Sequence, residues 1–183
     1  MPAKKQITKD MILQAALKLL KQSGMEAVTI KTLAAELNCS TQPVYLSFES
    51  MDALREELVL LAIEEFKEVI RGQSRDGKVR LYDMEYIYFA RREPKLFCFL
   101  FMRARAFSEM KQILLSVIEE SVQELMGLYH ISHEKADYLH DHLWMHTHGI
   151  ASMIATDFCD WDMDKVKYML EECRSAFTKE YEV

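Results

Sequence analysis

The side chains of this chain best suited to chemistry sit on one short predicted helix, and that chemistry is recognition rather than bond making. Ser40 can cap a helix running from Thr41 to about Ser47. Val44 and Phe48 then point inward, which leaves Thr41, Gln42, Tyr45 and Ser47 on the outside. Small hydroxyls, an amide and a phenol on one exposed face suit base edges and phosphate oxygens. Nothing comparable is assembled for catalysis, since no nucleophile is visibly paired with a base and no G-x-G-x-x-G or phosphate loop occurs. Two clusters approach metal-site spacing without completing it. His142 and His146 have the i, i+4 spacing that zinc can use, with His140 and His148 nearby, but Leu143, Trp144 and Met145 leave no place for the glutamate of H-E-x-x-H. Asp160, Asp162, Asp164 and Glu171 fall at EF-hand ligand positions, yet Lys165 stands where the loop needs glycine. Acidic residues opening a helix and complementing its dipole are the better account. No metal, no cofactor and no enzymatic activity is expected.

The outward face needs a scaffold, and the flanking residues supply one. Thr29 is a good N-cap for a helix whose inward face is Ile30, Leu33, Ala34 and Leu37, and Asn38 tolerates the left-handed conformation that ends it. Residues 29–54 therefore read as a helix-turn-helix. Ile12, Ala15, Ala16, Leu19 and Leu20 form the apolar face of a preceding helix that Gly24 stops. Pro43 is tolerated early in the second short helix because the first turn has no intrahelical donor to lose. Ser50 and Asp52 open a long helix to about Arg71, with Leu54, Leu58, Leu61, Ile63 and Phe66 as apolar surface. After a break at QSRDGK, residues 73–78, helices are predicted over 79–92, 95–107, 109–128, 133–156 and 162–181, with Ser132 and Asp162 as caps. No segment sustains a period-two alternation, so the chain is all-α.

The C-terminal part is rich in aromatic and methionine side chains. Tyr86, Phe89, Phe97, Phe101, Met102, Phe107, Met110, Trp144 and Met145 could line an adaptable apolar pocket, with His148 as a polar handle. Such residues at helical spacing equally suit an ordinary core. Two apolar stripes are candidates for a dimer interface: Leu139, Leu143, His146, Ile150 and Ile154 on one helix, and Val166, Met169, Leu170, Cys173 and Phe177 on the next. Periodicity alone does not separate an interface from a core-facing stripe. A dimer has a physical motive, because one small helix-turn-helix reads few base pairs and a twofold axis presents two.

The run Ile12, Ala15, Ala16, Leu19, Gly24, Thr29, Leu33, Ala34, Leu37, Ser40, Val44, Tyr45, Phe48, Leu54 resembles, without a gap, the N-terminal DNA-binding domain of TetR-family transcriptional regulators of the TetR/AcrR type. The resemblance implies that the helix beginning near Ser40 enters the major groove and that Thr29, Lys31 and Tyr45 match positions that touch or face phosphates. Two positions depart from the family pattern: Ser47 stands where the family usually has His and Met51 where it usually has Lys, so positive charge is lost at two backbone contacts. RREPKLFCFLFM, residues 91–102, and LWMHTHGIA, residues 143–151, resemble segments of the family's C-terminal domain. The implied organisation is a helix-turn-helix DNA-binding domain over 1–54 and a helical ligand-binding and dimerisation domain over 55–183. There the last two long helices pair with those of a second subunit in a four-helix bundle. The implied function is a homodimeric regulator, a repressor released from a palindromic double-stranded DNA operator by a small apolar or amphipathic ligand. The alternative is an α-helical small-molecule sensor or enzyme that does not bind DNA.

Composition is compatible with this reading once charge is divided along the chain. The net charge is −6, but residues 1–54 hold six lysines against five acidic residues, a balance of +1, so the remainder carries −7. Lys4, Lys5, Lys9 and Lys31 can form a local basic patch, although weak nonspecific DNA affinity is expected. The apolar run from Leu96 to Met102 is too short to span a bilayer and no signal region follows Lys5, so a cytoplasmic protein is expected. Cys39, Cys98, Cys159 and Cys173 lack C-x-x-C spacing and basic neighbours that would favour a thiolate; free thiols are expected.

Overall fold

The structure, a computed structural model, describes residues 6–73, 84–179 and 181. The described residues are helical and include no strand. In chain order the helices are α1 (Lys9–Ser23), α2 (Ile30–Glu36), α3 (Gln42–Ser47), α4 (Met51–Gln73), α5 (Met84–Arg92), α6 (Pro94–Phe101), α7 (Phe107–Ile113), α8 (Leu115–Tyr129), α9 (His133–Ala155) and α10 (Met163–Thr178). A 3-10 turn, Met25–Ala27, follows α1. The chain divides into two compact units, residues 1–65 and 66–183, the division falling within α4. The break expected at 73–78, the start of the helix expected at 79 and the end of the one expected to reach 181 fall wholly or partly outside the described residues.

Within the N-terminal unit α1 packs on α2 and α3, and α2 packs on α3. Ile12, Ala16, Leu20, Leu33, Val44, Phe48, Leu54 and Leu58 are buried there. Local chemistry sets the boundaries. Gly24 ends α1 at φ 84, a left-handed value that a residue with a Cβ rarely adopts. The Thr29 hydroxyl accepts the Thr32 N–H at 3.2 Å while the Thr32 hydroxyl accepts the Thr29 N–H at 2.9 Å, a reciprocal cap for α2. Asn38 sits at φ 50, and the Ser50 hydroxyl accepts the Ala53 N–H at 3.0 Å to start α4.

In the C-terminal unit α9 is the common neighbour, packing against α5, α6, α8 and α10. Its inward face is Ala136, Leu139, His140, Leu143, Thr147, Ile150 and Ala151. Ser132 and Asp162 cap α9 and α10 by accepting the Lys135 and Lys165 N–H groups. Two expected helices are shorter than the sequence pattern implied. The segment 109–128 divides at Leu114, whose N–H turns to the Met110 and Gln112 carbonyls while its side chain is buried. The segment 95–107 ends at Phe101, followed by a turn in which Arg105 takes φ 61. Neither break carries glycine or proline.

Phe66 is the centre of an aromatic core, with ring centroids 5.9 Å from Tyr86, 5.0 Å from Phe89 and 5.2 Å from Phe101, all near edge-to-face. Phe97 adds contacts at 5.5 Å to Tyr86 and 5.2 Å to Phe101. One polar pair is sealed against this cluster: the Tyr86 hydroxyl lies 3.0 Å from His148 Nδ1. Burial pushes the phenol far above its ordinary value, with a hydrogen bond from Trp144 opposing this in smaller measure. Indole can only donate, so Tyr86 accepts from Trp144, and its hydroxyl shares the second hydrogen bond with His148 Nδ1. Burial likewise holds His148 below its ordinary 6.5. It also holds down His140, against smaller upward pulls from Asp141 and Asp137.

Two outcomes follow for stability. Phe66→Ala should lower the unfolding free energy of the C-terminal unit by about 3–5 kcal/mol, because a fully buried ring leaves a cavity. Trp144 and Trp161 are the chain's two tryptophans and both lie in that unit, so their fluorescence in a urea titration measures it. The two histidines have depressed folded-state values, so the unfolded chain takes up protons first as pH falls below 6.5 and stability is lost in that direction. The urea midpoint should therefore drop between pH 7.5 and 5.5, and drop less in His148→Asn; equal slopes for the two proteins would contradict the assignment.

Candidate nucleic-acid interface and ligand pocket

The N-terminal unit presents α3 with one face buried and the other open. Val44 and Phe48 are buried, while Thr41, Gln42 and Tyr45 are exposed and Ser47 is half-buried. Leu46 is 79% exposed, more than Tyr45 at 65%. Sequence reasoning overlooked Leu46, although its place one turn beyond Gln42 put it on the outward face. Ser40 was expected to cap this helix. The capping position is Thr41 instead, with φ −69 and no side-chain hydrogen bond, and Pro43 occupies the first turn. Ser40 is exposed, one residue ahead of the cap.

A cleft of about 650 Å³ opens at the edge of α3, and Thr29, Lys31, Thr41, Tyr45, Met51, Asp52 and Arg55 contribute to its walls. The Thr29 hydroxyl is committed to capping α2. Lys31 is exposed. Arg55 went unnoticed in the sequence because it follows the family-like run that ends at Leu54. Of the expected basic patch, Lys4 and Lys5 lie outside the described residues, and Lys9 is paired with Glu57 at 2.5 Å with its ammonium 5.1 Å from the Phe48 ring centroid.

In the C-terminal unit Tyr86, Phe101, Phe107, Met110 and Trp144 come together around a cavity of about 40 Å³. Leu114, Ile118, His140, Lys111 and Asp141 complete the lining, all missed by a search for aromatic and methionine side chains. Trp144 stacks on His148 at 4.9 Å and meets Phe107 at 5.8 Å, so His148 backs the wall rather than facing the cavity. Lys111 and Asp141 pair at 3.9 Å and are the charged side chains of the lining. The other expected pocket residues lie elsewhere. Phe89 and Phe97 are fully buried in the aromatic core, and Met102 and Met145 project outward.

The two apolar stripes expected to meet a partner are covered in part within the single chain. Leu139, Leu143, Ile150, Val166 and Leu170 are buried, and Leu139 and Leu143 share a core with Val122, Leu125 and Ala136. Cys173 packs against that same core, and His146, Ile154 and Met169 are half-buried. Phe177 is 39% exposed and stacks on His142 at 5.1 Å. The opposite face of α9 was missed: Tyr138, His142, Met145 and Gly149 follow one another at helical spacing, Tyr138 and Met145 strongly exposed.

Among the described residues no group of three or more His, Cys, Asp or Glu side chains is placed to hold a metal. No described helix is long and apolar enough to cross a membrane. All four cysteines are free. Cys98 does have basic neighbours, contrary to the sequence reading: Arg91 and Lys95 line the same surface cleft as Cys98 and Cys159. Burial nevertheless raises the Cys98 thiol, with Lys95 opposing in smaller measure.

Residues 12–58 match the family described as bacterial regulatory proteins, tetR family. No curated protein sequence matches the chain. Two solved structures share its fold. One is a candidate transcriptional regulator of the TetR family from Vibrio parahaemolyticus, 18% identical, with a TM-score of 0.57 over 92% of this chain and 97% of that one. The other is a candidate TetR-family transcriptional regulator from Mesorhizobium loti, 16% identical, with a TM-score of 0.61 over 96% of each chain. The helix-turn-helix over residues 12–58 thus matches the tetR family of bacterial regulatory proteins, and the chain shares its all-helical fold along most of its length with solved structures described as TetR-family regulators.

Proposed function

We propose that this protein is a homodimeric, cytoplasmic repressor that is not an enzyme and that a small apolar or amphipathic molecule releases from a palindromic operator. The observation that carries the DNA-reading part is α3 itself, where Gln42, Tyr45 and Leu46 stand outward above buried Val44 and Phe48. Gln42 has the bidentate amide that matches adenine in the major groove, and Leu46 has the apolar surface that matches a thymine methyl. Tyr45, Thr41, Ser40 and Ser47 are placed for backbone phosphates, with Lys31 beside them. Thr29 acts in this reading through the cap that fixes α2.

The cavity supports ligand control by being small. At about 40 Å³ it has room for a few waters at most and none for a metabolite of any size. A ligand would enter by displacing Trp144 or Phe107, and so would bind a conformation other than this one. Differential affinity of that kind is what an effector requires. The lining favours a flat apolar body with one polar group able to reach Lys111 or Asp141.

The exposed stripe of α9 supports dimerisation. Tyr138, His142, Met145 and Gly149 lie opposite the buried face of the helix. The nearby His146 Nε2 is shielded from solvent without a hydrogen bond among the described residues, an arrangement that a partner side chain would repair. A Cβ built at Gly149 meets nothing within 4 Å, so the fold of the single chain leaves room there.

Two experiments test these parts separately. Gln42→Ala with Tyr45→Ala should weaken binding to the DNA upstream of the protein's own coding region by at least tenfold, roughly the loss of one good bidentate base contact. Its far-ultraviolet helical signal and thermal unfolding curve should be unchanged. Equal affinity in a mobility-shift titration would remove α3 as the reading element. Gly149→Trp should leave the protomer folded and shift sedimentation from dimer to monomer at concentrations where the parent is dimeric; an unchanged sedimentation coefficient would place the interface elsewhere.

A further inference from the structure

The cleft beside α3 contains a cation on each of two helices, and one of them stands one turn beyond the position where the family's usual lysine is missing. Lys31 comes from the first turn of α2 and Arg55 from α4, and both line the cleft together with the hydroxyl-bearing Thr41 and Tyr45 of the α3 segment. Met51 lines it as well, and Arg55 follows Met51 at i+4, so the two share a face of α4. Arg55 is about half exposed and its ion pair with Asp52 is long, 3.9 Å, while the Asp52 carboxylate is 87% exposed. A pair of that kind is weakly held and open to exchange.

We infer that Arg55 is a DNA-phosphate ligand, the residue that takes over from Met51 and closes, with Lys31, a seat for one backbone phosphodiester beside the recognition helix. The inference rests on the DNA-reading role proposed above. Guanidinium presents paired N–H donors that match two phosphate oxygens, and its longer reach from one turn further along α4 allows it to enter a cleft that a lysine at 51 would enter directly. The Tyr45 and Thr41 hydroxyls can donate to the same phosphate. Asp52 acts against it, both by repelling the phosphate and by holding the guanidinium. Phosphate contact therefore requires Arg55 to leave Asp52.

The test uses the full-length protein and a random-sequence DNA duplex, with log affinity followed against log salt concentration. Each phosphate neutralised contributes about 0.9 to that slope. Arg55→Ala should bind more weakly at low salt and give a slope shallower by about 0.9, and Arg55→Lys should keep the parent slope. Met51→Lys in the Arg55→Ala background should restore the slope by placing a cation one turn earlier in the same cleft. Asp52→Asn should bind more tightly than the parent. A parent protein that binds DNA with the same slope as Arg55→Ala overturns the role of Arg55 alone. No salt-dependent DNA binding by the parent at all overturns the DNA reading itself, and this inference with it.

Discussion

A phenol enclosed by phenylalanines must find hydrogen-bond partners, and the C-terminal unit is organised around those that Tyr86 finds. Its hydroxyl meets His148 Nδ1 and accepts from Trp144. His148 and Trp144 are four residues apart, so both partners lie on one side of α9, one turn from each other. Tyr86 itself is held from α5 by Phe66, Phe97 and Phe101. The pairing thereby fixes the rotation of α9 against α5. An error of one residue would bring Thr147 or Gly149 to the phenol and leave its hydroxyl buried without a partner of the right reach, a penalty larger than most packing changes. The same pairing fixes the wall of the cavity, because Trp144 both donates to Tyr86 and lines the space next to Phe107.

In the ligand-controlled reading proposed above, this coupling is what an occupant of the cavity would act on. Trp144 cannot swing outward without giving up its contact with Tyr86 and its stacking on His148. A molecule that opens the cavity must compensate both, and in doing so perturbs the contact that sets α9 against α5. The outer face of that same helix carries Tyr138, Met145 and Gly149. A change at the cavity and a change at the exposed stripe are thus two readouts of the position of one rigid helix, with no chain of intermediates needed between them.

Most of what was legible in the sequence is decided locally, although Ser40, read as the cap of α3, is displaced by Thr41. Thr29, Ser50, Ser132 and Asp162 were identifiable as caps because capping is settled within four residues, and Gly24 and Asn38 as stops because they tolerate positive φ. The break at Leu114 was illegible for the opposite reason: a leucine within a helix-forming run carries no local stop signal, and its side chain is buried where the two helices meet. The stripes of α9 and α10 were visible, but a period tells only that a face is apolar and not what covers it. The pocket was half legible. Tyr86, Phe101, Phe107, Met110 and Trp144 were found as aromatic and methionine residues, while Phe89 and Phe97, equally aromatic, went to the core. Lys111 and Asp141 stand on different helices, and no local pattern in the sequence brings them together.

Among the described residues of the N-terminal unit, most of the lysines on α1 are engaged with carboxylates rather than left for a polyanion. Of the lysines on α1, Lys9 pairs with Glu57, Lys18 with Glu36 at 2.5 Å and Lys21 with Glu65. These pairs tie α1 to α4 and α2 and neutralise charge that a DNA-binding head could otherwise use. With Ser47 and Met51 also uncharged, the counterion-release term that dominates nonspecific binding is small. In the DNA-reading role proposed above, affinity for an operator comes from readout by Gln42 and Leu46, from the phosphate contacts of Tyr45, Lys31 and Arg55, and from the doubling of each contact by a second subunit. Under that proposal, occupancy of a specific site would depend more steeply on dimerisation than that of a strongly basic protein, because a lone head with a small electrostatic term holds too weakly to wait for its partner.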